Sequence, residues 1–217
     1  MSQIIKIFDK ASLHYDDWYK HPQGSQIFNA ELNAIKSMIP ESGLGLELGA
    51  GTGIFAKKLS ESKRLVLCLD PSKDMLSQAK EKDLISVIGV GEVLPFRKKV
   101  FQFIYLITVL EFLNNPAKVL QEAYITGRGP IVILFINGES SWGKFYRKIG
   151  DAGDPIFSNA KIFTLNELED LLKKEGFKII EKKGTLTTAP TSIRVGTEIT
   201  KPSEETGVIV IKAKEIR

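Results

Sequence analysis

The stretch LGLELGAGTGIFA, Leu44 to Ala56, places glycines at 49, 51 and 53, directly after an apolar run and directly before a helix-like segment. Backbone without side chains lets a ligand approach closely, and a helix amino terminus offers N–H groups with no helical partner. Two ligand classes fit such a loop. A dinucleotide needs G-x-G-x-x-G, whose third glycine falls one position later than Gly53. Here the carboxylate of Glu47 precedes the first glycine, which is unfavourable beside a pyrophosphate and favourable near a cation. The second chemical signal is Asp70, in VLCLDPS. A carboxylate at a strand tip can accept both hydroxyls of a ribose; its other reading is a cap for a helix opening at Pro71-Ser72. The third is GVGEVLPF, Gly89 to Phe96, in which a glycine, a carboxylate and a Leu-Pro-Phe turn make a wall suited to a stacked adenine.

These signals have to be positioned by the elements around them. Short apolar runs at Leu44–Leu48, Leu65–Leu69, Leu84–Ile88, Phe101–Ile107 and Ile131–Ile136 are too short for core helices and too uniformly apolar for one-sided strands, so they predict buried strands of a parallel sheet. Helix-like segments lie between them at Ile54–Ser62, Lys73–Glu81 and Pro116–Tyr124. A further amphipathic helix is predicted over Ser25–Ile39, stopped by Pro40 and Ser42-Gly43. The alternation means a doubly wound α/β sheet, with the three signals at its carboxyl edge, where open α/β folds bind ligands.

The carboxyl-terminal part differs. Thr164–Glu175 reads as a helix with Thr164 as cap, Glu167 three residues on and Gly176 as its stop. Phe177–Ile180 and Val208–Ile211 read as two closing strands with no helix between them, hence an antiparallel pair. Thr185 to Thr206, rich in Thr, Ser, Pro and Gly, predicts a long exposed loop. Asn137 to Phe163 has no clear strand, yet Trp142, Phe145, Tyr146, Phe157 and Phe163 make it too aromatic for a linker. No repeat or domain boundary is evident.

Composition bounds the function. The chain has 217 residues, 43% of them hydrophobic, enough for one domain with a full core. Its net charge of +4 is spread over scattered lysines; the longest basic run, Arg97-Lys98-Lys99, reads as a solvated turn. One cysteine excludes an internal disulfide and any multi-cysteine metal site, and no metal is expected. No opening secretory segment and no apolar run of about 20 residues is present, so a cytoplasmic protein without membrane contact is expected.

The set ELGAGTG, then LD at the second strand end, then GEVLPF, then FQFIYLITVLEFL, resembles the class I, seven-stranded Rossmann-like, S-adenosylmethionine-dependent methyltransferases, and within them the group holding the ubiquinone and menaquinone biosynthesis enzymes. The resemblance covers nearly the whole chain, including FDKASLHYDDWY at its start. It implies strand order 3-2-1-4-5-7-6 with the seventh strand antiparallel, helices on both faces and an amino-terminal helical lid. Within a single domain spanning 1–217 it divides the chain into a cap (1–40), a cofactor-binding core (41–137), an acceptor-site insertion (138–163) and a closing helix and strand pair (164–217). S-adenosylmethionine is the implied cofactor and S-adenosylhomocysteine its product. By the resemblance Glu47, Gly49, Ala50, Gly51, Thr52 and Gly53 surround the methionine part, Asp70 binds the ribose hydroxyls, and Pro71 and Met75 flank the nucleoside. Gly91, Glu92 and Val93 then lie beside the adenine, Ile107 and Thr108 floor the pocket, and Tyr15 and Tyr19 close over it. The chain departs from the family where relatives often show G-D-A-E: Gly89-Val90-Gly91-Glu92 lacks the aspartate for the adenine amino group, leaving Glu92 or a backbone carbonyl to substitute.

A sulfonium already carries an activated methyl, so transfer needs a nucleophile held near ~3 Å and in line, and a base only where the acceptor must lose a proton. No catalytic residue is therefore singled out. The strand end Leu106-Ile107-Thr108-Val109-Leu110 lacks the Asn/Asp-Pro-Pro-Tyr/Phe of enzymes that methylate amino groups of adenine or glutamine, and Cys68 reads as a buried, inert thiol. Diffuse charge disfavours nucleic acid. A small-molecule acceptor with an O, N or C nucleophile is expected, with a monomer or homodimer as the working form. His14 and His21 read as exposed polar residues, and Tyr15, Trp18 and Tyr19 as core or lid at helical spacing. Two other functions fit: a non-catalytic protein that binds the cofactor or its product, and a nicotinamide-dependent oxidoreductase, against which the glycine spacing and closing strand pair stand.

Overall fold

Every residue of the strand Ile131–Ile136 is buried, and its side chains leave it alternately into two cores. Val132 and Leu134 join Val66, Cys68, Phe103 and Tyr105 on one face of the sheet; Ile131, Ile133 and Phe135 join Leu46, Leu48, Ile104 and Leu106 on the other. A continuous apolar run is what a strand covered on both faces requires. The computed structural model describes residues 3–61 and 63–216. In chain order the elements are α1 (Gln3–Ala11), a 3-10 turn (Tyr15–Lys20), α2 (Pro22–Lys36), β1 (Gly43–Leu48), α3 (Ile54–Leu59), β2 (Arg64–Asp70), α4 (Lys73–Glu81), β3 (Ile85–Ile88), β4 (Phe103–Ile107), α5 (Pro116–Thr126), β5 (Ile131–Ile136), α6 (Ser141–Asp151), α7 (Leu165–Lys174), β6 (Phe177–Thr185) and β7 (Val208–Glu215).

The sheet order is β3-β2-β1-β4-β5-β7-β6, the expected seven-stranded topology. β1 to β5 run parallel, and β7 is antiparallel to both β5 and β6. Residues of α2, α3 and α4 cover one face, those of α5 and α7 the other. The order reverses between β1 and β4, and a crevice opens beyond their carboxyl ends. At α7 the expected capping box forms: Thr164 Oγ1 accepts the Glu167 N–H at 3.2 Å and the Glu167 carboxylate accepts the Thr164 N–H at 2.8 Å.

Several elements differ from expectation. α2 starts at Pro22 and ends at Lys36, because proline suits the first turn of a helix. α3 stops at Leu59; Ser62, the expected end, lies outside the described residues. β3 is an edge strand and not a buried one: Ile85 and Ile88 are 51% and 55% exposed, since no strand pairs beyond it. The aromatic segment after β5 forms α6, opened by Ser140, whose side chain accepts the Gly143 N–H. The predicted exposed loop, 185–206, instead folds back onto the core. Leu186 and Val195 are buried, Gln26 Oε1 accepts the Val195 N–H at 3.0 Å, and Trp142 Nε1 donates to the Thr188 carbonyl at 2.6 Å.

Candidate active site

The ends of β1, β2 and β4 and the segment after β3 meet in one cavity of about 990 Å3. The glycine loop is held over the tip of β2. Gly49 and Ala50 donate N–H bonds to the Leu69 carbonyl at 2.8 and 3.1 Å, Gly51 donates to Asp70 Oδ2 at 2.8 Å, and Gly53 donates to the Ala50 carbonyl at 2.9 Å. These donors are already engaged, so the loop's service is to bring bare backbone to the cavity wall. Gly51, with φ +54°, shows why: a Cβ there would point toward the Sδ of Met75, 3.9 Å away, into the space a ligand needs. Gly49 and Gly51 line the cavity, while Ala50 is buried behind it and Gly53 packs on α4.

Asp70 ends β2 and is only 8% exposed. Its Oδ2 accepts the Gly51 N–H and its Oδ1 the Ser72 N–H at 2.8 Å; the cap of α4 is Ser72, whose Oγ accepts the Met75 N–H at 3.1 Å, so Asp70 orients the cap residue and is not the cap itself. Each oxygen accepts one bond and keeps further acceptor capacity, and the residue lines the cavity. Burial raises its pKa to about 6, against the two N–H bonds, which lower it. Pro71, Ser72 and Met75 continue the wall; opposite them stand Val90, Gly91 and Glu92. Val93 does not join them: its side chain is 68% exposed on the outside of the turn. Ile107 and Thr108 form the floor, Thr108 with a φ of +49° that a β-branched residue rarely adopts.

Glu47 departs from its expected place. It pairs in register with Tyr105 of β4, so its side chain runs beneath the loop into the sheet face. There its Oε2 accepts the Tyr105 hydroxyl at 3.1 Å, and burial raises its pKa to about 8. It buttresses the loop from below and does not line the cavity. Thr52 is likewise buried and reaches the lid: its Oγ1 donates to Asp16 Oδ1 at 2.6 Å, and Lys82 Nζ meets Asp16 Oδ2 at 3.0 Å. On the other side of the lid, Ser72 Oγ donates to Asp9 Oδ1 at 2.5 Å. α1 and the 3-10 turn are thus fastened across the cavity mouth, and bring Tyr15 and Tyr19 into its wall.

The far end of the cavity is aromatic. Trp142, Phe145 and Tyr146 come from α6, and Phe157 stacks on Tyr146 with ring centroids 4.2 Å apart. Sequence reasoning did not single out Glu31 of α2, which also lines this end. The available signal was a charged residue four positions after Ile27 and four before Ile35, on the apolar stripe. The histidines lie elsewhere: His14 is at the rim, with its side chain 84% exposed beside Asp17, and His21 is exposed ahead of α2. Cys68 is fully buried and its thiol is pushed up by that burial. Among the described residues no cluster of metal-ligating side chains occurs and no helix is long and apolar enough to cross a membrane.

The acidic residues on the cavity wall are Glu31, Asp70, Glu92 and Asp154, with His14 at the rim and, among the described residues, no lysine or arginine. That lining suits a sulfonium and not a pyrophosphate. A family model described as a methyltransferase domain matches residues 46–126. An uncharacterised protein of Methanocaldococcus jannaschii is 34% identical over 184 residues, covering 84% of this chain and 86% of its own. A second uncharacterised protein, from Mycobacterium tuberculosis, is 32% identical over 81% of this chain, which spans only 61% of that relative. Among solved structures, an S-adenosylmethionine-dependent methyltransferase of Thermotoga maritima, described as a possible histamine N-methyltransferase, superposes with a TM-score of 0.86 at 28% identity, covering 97% of this chain and 98% of that one. With the topology, the bare-backbone loop, Asp70 and the cation-suited wall, these matches identify the chain as a class I methyltransferase that uses S-adenosylmethionine and releases S-adenosylhomocysteine.

Proposed function

We propose that this enzyme methylates a small molecule seated in the aromatic half of the cavity. The observation that carries the reading is the cavity itself. At about 990 Å3 it is at the upper end of small-ligand sites, and its two ends differ in chemistry: backbone and Asp70 at the strand tips, aromatic rings beneath α6 and the lid. One ligand does not need both.

S-adenosylmethionine supplies an activated methyl group. Asp70 takes the ribose hydroxyls, Met75 and Pro71 flank the nucleoside, Gly91 and Glu92 border the adenine, and Gly49 and Gly51 admit the methionine part. Tyr15, Tyr19 and the fastened lid exclude water, so positioning makes up most of the chain's contribution. The acceptor attacks in line from the aromatic end. The motifs ELGAGTG, LD at Asp70 and GEVLPF support placing the chain near the group that holds the ubiquinone and menaquinone biosynthesis enzymes. The acidic wall and scattered surface charge favour a small acceptor over nucleic acid, and we place the protein in the cytoplasm as a monomer or homodimer.

Calorimetric titration with S-adenosylmethionine, S-adenosylhomocysteine and NAD tests the cofactor end. Micromolar binding of the first two without NAD is expected, followed by transfer of labelled methyl to members of a small-molecule panel. Binding of NAD alone, or label appearing only on nucleic acid, would refute the proposal.

A further inference from the structure

Glu31 is 6% exposed, lines the cavity, and among the described residues has neither a hydrogen-bond donor nor a basic partner. A carboxylate buried in that way is unfavourable unless something pairs with it. Its surroundings come from three separate elements. Tyr15 and Tyr19 face it from the 3-10 turn and Tyr146 from α6; burial pushes all three phenols up, and the charge of Glu31 adds to the effect. Burial first, and then the charge of Glu111 after β4, raise the pKa of Glu31 to about 8. The Oε1 of Glu111 accepts the Ile136 N–H at 2.8 Å, and its Oε2 has no partner.

This end of the site thus holds the unpartnered carboxyl of Glu31, aromatic rings and, among the described residues, no cationic side chain, within a chain whose net charge is +4. Ring faces and carboxylates both attract cations. We infer that Glu31, ringed by Tyr15, Tyr19 and Tyr146, is the acceptor-binding carboxylate and that the acceptor is a small amine. The inference deepens the function proposed above and rests on it. The amine binds as its ammonium, whose charge favours the ionised form of Glu31, and loses one proton to water; the free base then donates an N–H to Glu31 and turns its lone pair to the methyl carbon. The N–C bond forms as the C–S bond breaks, and the bonding pair stays on sulfur. Positive charge then develops on nitrogen, opposite the carboxylate, which takes the shed proton and passes it to water. An alcohol of the same shape enters as a weaker nucleophile and presents no ammonium to the carboxylate.

The test uses the full chain saturated with S-adenosylhomocysteine. A panel of one-ring primary and secondary amines, 2-phenylethylamine among them, is titrated against the matching alcohols, in the wild type and in Glu31→Gln. At least one amine is expected to bind 10-fold or more tightly than its alcohol, and Glu31→Gln is expected to abolish that preference with S-adenosylhomocysteine affinity within twofold. No amine exceeding its alcohol in the wild type, which needs no variant, would overturn the inference, as would a preference that survives in Glu31→Gln. Failure of the wild type to bind S-adenosylhomocysteine would instead overturn the proposed function, so the two failures are distinguishable.

Discussion

Asp70→Asn probes the cofactor end with the least change of shape. The carboxylate now holds Gly51 through Oδ2 and Ser72 through Oδ1, each at 2.8 Å, and each oxygen keeps one lone pair for a ribose hydroxyl. An amide leaves one oxygen and sets an N–H against one of the two backbone donors. Losing a hydrogen bond to a charged group costs about 1.5–3 kcal/mol, so S-adenosylhomocysteine should bind about 10- to 150-fold more weakly. The pH dependence supplies a second, signed expectation. Burial raises the Asp70 pKa to about 6 in the free protein, and ribose hydroxyls favour the ionised form. The bound state therefore holds fewer protons than the free state, and affinity should fall as pH drops below about 6, by up to tenfold per unit. Stability moves the other way. Because the folded pKa lies above the ordinary 3.8, the folded free protein binds more protons than the unfolded chain between the two values, and it gains stability as pH falls through that window. Asp70→Asn should remove the Asp70 contribution to both slopes. Calorimetry and thermal unfolding between about pH 4 and 8 measure them. Affinity within twofold of wild type, or parallel pH curves for the two proteins, would refute the assignment of Asp70 to the ribose.

Asp16→Ala cuts the lid's bond to Thr52 and its pairing with Lys82, a partly exposed contact worth about 1 kcal/mol, so S-adenosylhomocysteine should leave severalfold faster in stopped-flow; an unchanged off-rate would deny the lid its role. Gly51→Ala puts an L side chain at φ +54° and a methyl into the ligand space, so cofactor affinity should fall more than tenfold for a stability loss of only about 1–2 kcal/mol; equal affinity would show that the loop does not border the ligand. Cys68→Ala should lower stability by about 1 kcal/mol and leave turnover intact, and thiol reagents should label Cys68 only on unfolding; loss of turnover in a folded variant would reinstate the thiol as a participant.

What could be read from sequence was local. The glycine loop, Asp70, the buried strand runs and the Thr164–Glu167 box each depend on residues close in the chain, where backbone geometry dictates the outcome. Glu47 shows the limit of that reading. Its type suggested a ligand contact, but side chains alternate along a strand, and Leu46 and Leu48 already occupy the face that α5 and α7 cover. The residue between them had to enter the opposite face, where Tyr105 receives it. The segment 185–206 failed for another reason. Leu186 and Val195 sit singly among polar residues, and their burial depends on Trp142, Gln23 and Gln26 from elsewhere in the chain. No window over 185–206 contains that information.

The same distinction runs through the site. The proposed cofactor end is made from the tips of successive strands, β1 to β4, within the segment that the methyltransferase-domain model matches. Most of the proposed acceptor end comes from Tyr15 to Glu31, Trp142 to Phe157 and Leu186 to Val208, segments outside that match which meet only in the folded chain. A fold built this way can keep its methyl donor while the acceptor changes, because substitutions at Glu31 or Tyr146 leave Asp70 and the glycine loop untouched. Specificity should therefore transfer with those three segments. Grafting them onto a relative with the same core should carry the amine preference across and leave S-adenosylhomocysteine affinity where it was; a chimera that keeps the relative's own preference would place the acceptor elsewhere.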